Sequence, residues 1–224
     1  MDLWYTLIFT VFPYLCLTTF VVGHGYRYVT DRFGWNTRSS EFLEKKSLRA
    51  GSVIFHAGII LTFFGHAGGL LIPQAVFDAF GIAAKEHMAI AYWSGLAVGL
   101  AAFAGVLLLG WRRLRQPRVK AVTTVNDAVT LGALTVVIGV GLYNVVFGHY
   151  NVLYSVAPWI RGIVTFTPDA TLMRGVPPGY QIHVITAWAL LGFSPFSRLV
   201  HIWSTPLFYL LRPPIVFRRR LEQF

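Results

Sequence analysis

The stretch LRAGSVIFHAGIILTFFGHAGGLLI, residues 48–72, carries one charge, Arg49, at its edge and two histidines, His56 and His66, within it. About 20 mostly apolar residues span a bilayer as a helix. An ionisable side chain inside such a span is costly and marks function by default. The stretch therefore reads as a membrane helix with chemistry inside it.

Four more segments have the same character: Leu3–Tyr28, Met88–Trp111, Ala128–Phe147 and Gln181–Leu211. The last is longer than a span, carries Arg198, and is expected to tilt or protrude. Pro13 and Pro195 lie inside the first and fifth segments. Each predicts a kink, tolerated where a neighbour satisfies the freed carbonyl. Composition agrees with a bilayer as solvent. Of 224 residues, 55% are hydrophobic and 12% charged, against about 25% charged in soluble domains, and mean hydropathy is +0.59. The expectation is one all-α domain over residues 1–224: a five-helix transmembrane bundle with short connections, multi-pass in a bacterial (or archaeal) cytoplasmic membrane.

The net charge of +10 does not mean nucleic acid, because the basic residues cluster between apolar runs instead of covering a soluble face. Fifteen of the nineteen Lys and Arg flank the ends that follow segments one, three and five; Lys85, Arg161 and Arg174 lie on the other side. The positive-inside rule then puts the N-terminus outside and the C-terminus in the cytoplasm. The first segment has no basic n-region and no cleavage site, and reads as a retained helix. The long connection from His149 to Tyr180 is expected to be part irregular and part interfacial. Ser39–Leu48 reads equally as a loop or a short surface helix. The single cysteine, Cys16, excludes an internal disulfide, a Cys-x-x-Cys-His haem attachment and a cluster held by this chain alone.

Seven histidines are present, and four lie in two spans: His56 and His66 in the second, His183 and His201 in the fifth. The second segment runs outward and the fifth inward. His66 and His183 therefore share the outer depth, and His56 and His201 the inner. Two neutral imidazoles per depth suit two haems of b type, each with both axial positions filled. Spacing strains this reading. Eighteen residues of continuous helix separate His183 from His201 by about 27 Å, whereas ten separate His56 from His66 by about 15 Å. Tilt or the Pro195 kink must absorb the difference. Glycines at 58, 65, 68 and 69 suit either a flat macrocycle or helix packing through Gly65-x-x-x-Gly69. Arg198 and Arg112 are candidates to pair with haem propionates. His24 reads as a polar packing residue, and His87 and His149 as interfacial. A haem-free transporter or scaffold with four buried histidines is the rival from another class. A haem-handling protein, which would exchange its haem readily, is a third reading.

The sequence also resembles a known family. Phe55-His56 through Gly65-His66 to Gly69-Leu70-Leu71-Ile72-Pro73 is similar to the second helix of the gamma subunit of respiratory nitrate reductase. Gly105 to Leu114, then Gln116-Pro117-Arg118-Val119-Lys120 and Thr123-Thr124, resembles its next inner loop. The sharpest match is Ser194-Pro195-Phe196-Ser197-Arg198-Leu199-Val200-His201-Ile202-Trp203-Ser204. The resemblance implies two b haems on the same histidine pairs. It also implies oxidation of a quinol (menaquinol or ubiquinol) near the outer haem, with Lys85 and Gly65 as quinol-site candidates. Electrons would pass inward to an iron–sulfur beta subunit and a molybdenum alpha subunit that reduces nitrate. Protons released outside while electrons move inward would conserve about 2.3 kcal/mol per charge per 100 mV. A dihaem cytochrome b of a hydrogenase, formate or sulfur-compound enzyme would share the haem and quinol features and differ in its partner.

Overall fold

The computed structural model describes residues 3–31, 40 and 42–204. Every regular element among them is helical. Four helical runs are long and apolar enough to cross a membrane: Leu3–Thr30, Lys46–Leu71, Ala84–Arg115 and Val125–Gly148. Six of their eight ends lie past the predicted ones, because flanking Arg, Lys and polar residues continue a helix beyond the apolar stretch; the first starts at Leu3 as predicted and the second stops at Leu71, one residue short. The first run consists of α1 (Leu3–Thr6), a π-helical turn (Leu7–Val11) and α2 (Phe12–Thr30). The second is α3 (Lys46–His66) with a π-turn (Ala67–Leu71), followed by the short α4 (Gln74–Ala79). The third is α5 (Ala84–Arg115), then α6 (Pro117–Ala121). The fourth is α7 (Val125–Tyr143) with a π-turn (Asn144–Gly148).

The expected fifth span is not one continuous helix. α9 (Pro178–Phe193) has 16 residues, about 24 Å at 1.5 Å per residue, short of a hydrocarbon core of about 30 Å. Two 3-10 turns, Ser194–Phe196 and Arg198–Val200, follow on either side of an extended Ser197, and then α10 (His201–Ser204). The part of the predicted segment beyond Ser204 lies outside the described residues, as do Arg32, Arg38 and the basic residues from Arg212 onward. Pro195 has no N–H for the Leu191 carbonyl, and the Ser194 hydroxyl covers that carbonyl at 2.7 Å. Ser197 starts the second turn by accepting from the Leu199 amide at 3.1 Å. Even so, the segment runs the whole length of α7. Gly179 packs on Asn144 at one end, and Phe196 and Arg198 bond Asn126 and Asp127 at the other.

Close backbone approach holds α3 to α5. A Cβ on Gly58 would meet Ala102 Cα at 2.8 Å, and one on Gly105 would meet Phe55 Cβ at 2.7 Å. Helices in lipid gain little from apolar burial and rely on such packing. Of the glycines expected to pack, Gly65 and Gly68 have nothing within 4 Å of a Cβ. Phe55, Ala102, Val106 and Ile138 form a core among α3, α5 and α7.

The connection 149–180 is more ordered than expected. It contains α8 (Val156–Val164), with Trp159 and Ile163 each 1% exposed. These side chains pack with Phe9, Met173 and Val176. Pro13 cannot give an N–H to the Phe9 carbonyl in the α register; Trp159 Nε1 donates to it instead, at 2.8 Å. Arg161 donates to Leu70 O at 2.9 Å, satisfying a carbonyl at the end of the second run. Among the described residues of the 39–48 stretch there is a turn at Phe42–Leu43, and a helix starts at Lys46.

Candidate haem-ligand pairs

The bundle brings the four histidines together in the two expected pairs. The His56 and His201 rings have centres 5.8 Å apart, and those of His66 and His183 are 6.1 Å apart. Metal–imidazole bonds of about 2 Å on each side of one ion put the ring centres about 6 Å apart. Among the described residues no three His, Cys, Asp or Glu side chains gather as a metal cluster. Pairs suit a porphyrin iron, which takes four nitrogens from its macrocycle and two from protein. The break at Ser194–Ser197 resolves the spacing conflict, since His183 and His201 do not share a helix.

Each ring is held in one tautomer. His56 Nδ1 lies 2.8 Å from Ser52 O, His66 Nδ1 2.8 Å from Thr62 O, and His201 Nδ1 2.7 Å from Arg198 O. His183 Nδ1 reaches across to α7 and lies 3.0 Å from Val137 O. A carbonyl only accepts, so Nδ1 carries the hydrogen and Nε2 keeps its lone pair. That is the form in which imidazole ligates a metal with a second bond fixing its ring.

The basic end of the bundle is organised by buried ion pairs. Arg112, 3% exposed, donates from Nε to Glu44 at 2.9 Å and from its Nη atoms to Ser40 Oγ, Ser40 O and Glu44 O. Four of its five N–H groups are thus spent on the 40–44 turn. Arg198 grips both oxygens of Asp127 through Nε and Nη2, and Arg113 lies 3.5 Å from the same carboxylate. The carboxylates that these two candidate arginines meet within this chain are Glu44 and Asp127. Asp127 was not singled out in the sequence. Its signal is the Thr124-x-x-Asp127 capping box that opens α7, with both bonds present. Outside the spans, the Ser47 hydroxyl and amide, helped by Arg112, hold the Glu44 carboxyl down at about 2.

At the other end, Gly65 is open on its Cβ side beside His66. Lys85 is exposed in the first turn of α5. His87, two residues on, is 5% exposed. Its Nδ1 lies 2.8 Å from Gln74 Oε1 and its Nε2 would be 3.6 Å from a Cβ on Gly69, so the start of α5 lies against the π-turn that follows His66. His149 is exposed in a left-handed conformation (φ 42°). His24 Nδ1 lies 2.8 Å from Phe20 O, its ring against Phe20 and Trp203, as expected of a packing residue.

The family model for the nitrate reductase gamma subunit matches residues 5–220. The nitrate reductase gamma chain of Bacillus subtilis is 39% identical over 96% of this chain and 98% of its own length. The respiratory nitrate reductase 1 gamma chain of Escherichia coli is 34% identical over 95% of this chain and 96% of its own. The nitrate reductase-like protein NarX of Mycobacterium tuberculosis is 40% identical over 99% of this chain, which corresponds to 35% of that longer protein.

Proposed function

The chain belongs to the nitrate reductase gamma subunit family, and on that premise we propose that it is the quinol-oxidising dihaem cytochrome b subunit of a respiratory nitrate reductase. The observation that carries the reading is the double pairing of histidines, at 5.8 and 6.1 Å, with every Nδ1 committed to a carbonyl. His66 and His183 would hold the outer haem, and His56 and His201 the inner. When bound, the two haems supply one-electron transfer from one side of the membrane to the other.

The chain's own residues supply the rest. Lys85 and Gly65 are the quinol-site candidates. An ammonium can hold a quinol oxygen by hydrogen bond, and a residue without a side chain beside His66 admits a flat ring. The segment 178–204 serves as the fifth crossing, since it runs the length of α7, a helix long enough to span. The basic end faces the cytoplasm under the positive-inside rule. There the iron–sulfur beta and molybdenum alpha subunits would dock and receive electrons.

The test is purification from membranes with native partners, then a dithionite-reduced spectrum and haem quantitation. Two b haems per chain, falling to one in His66→Ala or His183→Ala, together with quinol-dependent nitrate reduction, is the expected result. A folded protein without haem would sink the reading. Haem with hydrogenase or formate dehydrogenase partners would move it to another complex.

A further inference from the structure

Three of the four histidines are fixed by a carbonyl of their own segment, three or four residues back. His183 is the exception. Its Nδ1 bonds Val137 O, 46 residues away on α7, a helix that contains no histidine. We propose that Gly141, together with the Val137 carbonyl, is the positioning site for His183, so that α7 sets the outer haem's ligand geometry; this rests on the function proposed above.

A helix carbonyl already accepts the amide four residues on, and its second lone pair is open to another donor. Access to it is normally obstructed. The Cα–Cβ bond tilts toward the helix N-terminus, so a side chain at 141 would stand over the carbonyl at 137. At Gly141 the imidazole occupies that place. A Cβ there would lie 2.8 Å from His183 Cε1, 3.2 Å from Nδ1 and 3.5 Å from Nε2. The contacts fall on the Nδ1–Cε1–Nε2 edge of a ring that is held by its hydrogen bond and cannot swing aside as a flexible chain end would. The neighbouring glycines of α7 differ. Nothing lies within 4 Å of a Cβ on Gly132, and one on Gly139 makes an ordinary 3.4 Å contact with Phe103. The notch at 137–141 is therefore specific to His183. A methyl group in it pushes the ring off the carbonyl, releases the tautomer and displaces Nε2. Metal–ligand distances tolerate only about 0.2 Å.

The experiment compares Gly141→Ala, Gly132→Ala, His183→Ala and the double variant H183A/G141A in the complete membrane complex. Its readouts are haem b per chain and a potentiometric titration of the two haem signals. Gly141→Ala is expected to halve the haem content as His183→Ala does, or to keep both haems and shift one midpoint while the other holds. Gly132→Ala is expected to keep both haems and both midpoints. The proposal is overturned if Gly141→Ala leaves both signals as in the wild type, or if Gly132→Ala changes them equally. Should Gly141→Ala fail to assemble, the double variant decides. Without the ring the methyl group has nothing to strike, so restored assembly supports the notch, and continued failure overturns it. A wild-type complex without haem, or His183→Ala retaining two, would instead remove the function on which the notch depends.

Discussion

The two ends of the bundle do the same job with different physics. Each holds a pair of imidazoles with ring centres about 6 Å apart, the His56 and His201 planes at 71° and the His66 and His183 planes at 34°. At the end carrying His66 and His183, the supports are apolar and backbone-directed: Trp159, Ile163 and Met173 packed on Phe9, with Arg161 and Tyr14 bonding the carbonyls of Leu70 and Ile163. At the end carrying His56 and His201 the supports are charges: Arg112 with Glu44, and Arg113 and Arg198 on Asp127. Apolar packing tolerates a lost contact in proportion to the volume removed. A buried ion pair behaves differently, since loss of one partner leaves the other charge in a medium that solvates it poorly. The ends should therefore fail separately and on different scales.

The sharpest way to break the comparison is Asp127→Ala. The Asp127 carboxylate is 2% exposed and faces two guanidinium groups. Removing one partner of a buried pair costs about 3–5 kcal/mol. On the function proposed above, the expected outcome is loss of the haem proposed for His56 and His201 with retention of the other, read by haem quantitation and a lowered melting temperature. Retention of both haems would show that the charges are ornament. Trp159→Phe sharpens the other side. It keeps most of the apolar volume and removes the bond to Phe9 O, at a cost of about 1–3 kcal/mol for an acceptor left unsatisfied. Hydrogen exchange is expected to rise around residues 7–13 and 156–164, with none at the basic end. The smallest effect is acid. Glu44 is held at about 2 against an ordinary 4.5. Its depressed value means that its stabilisation is complete above about 4.5 and is lost as pH falls toward 2. Exchange at residues 42–48 is expected to increase across that window, while Glu44→Gln makes the region insensitive to it.

Much of the site was legible because the bilayer makes it so. A histidine in an apolar helix has few reasons to be there, and four at two depths pair in only one way. Other features depended on distant residues. The break after Phe193 was written in Ser194, Pro195 and Ser197, but a hydropathy reading runs straight through them, because Leu199, Val200 and Ile202 are as apolar as the helix before. This is why continuous helix geometry gave two rises that could not match. The importance of Trp159 was hidden because its partner, Phe9 O, is 150 residues away. The burial of His87, at a helix end, depends on Gln74 and Phe77 folding back over it. The bond from Arg112 to Glu44, 68 residues earlier, was equally out of reach of a local reading.

The bond between Trp159 and Phe9 also has a consequence for synthesis. The first membrane run is made and can enter the bilayer early, yet the carbonyl that Pro13 leaves open in the α register waits for an indole that emerges 150 residues later. A chain that stalls before residue 159 lacks the indole donor that Phe9 O has in the folded protein, in surroundings where backbone polar groups depend on partners within the protein. The beginning of this protein thus completes its hydrogen bonding only when the latter half has folded against it.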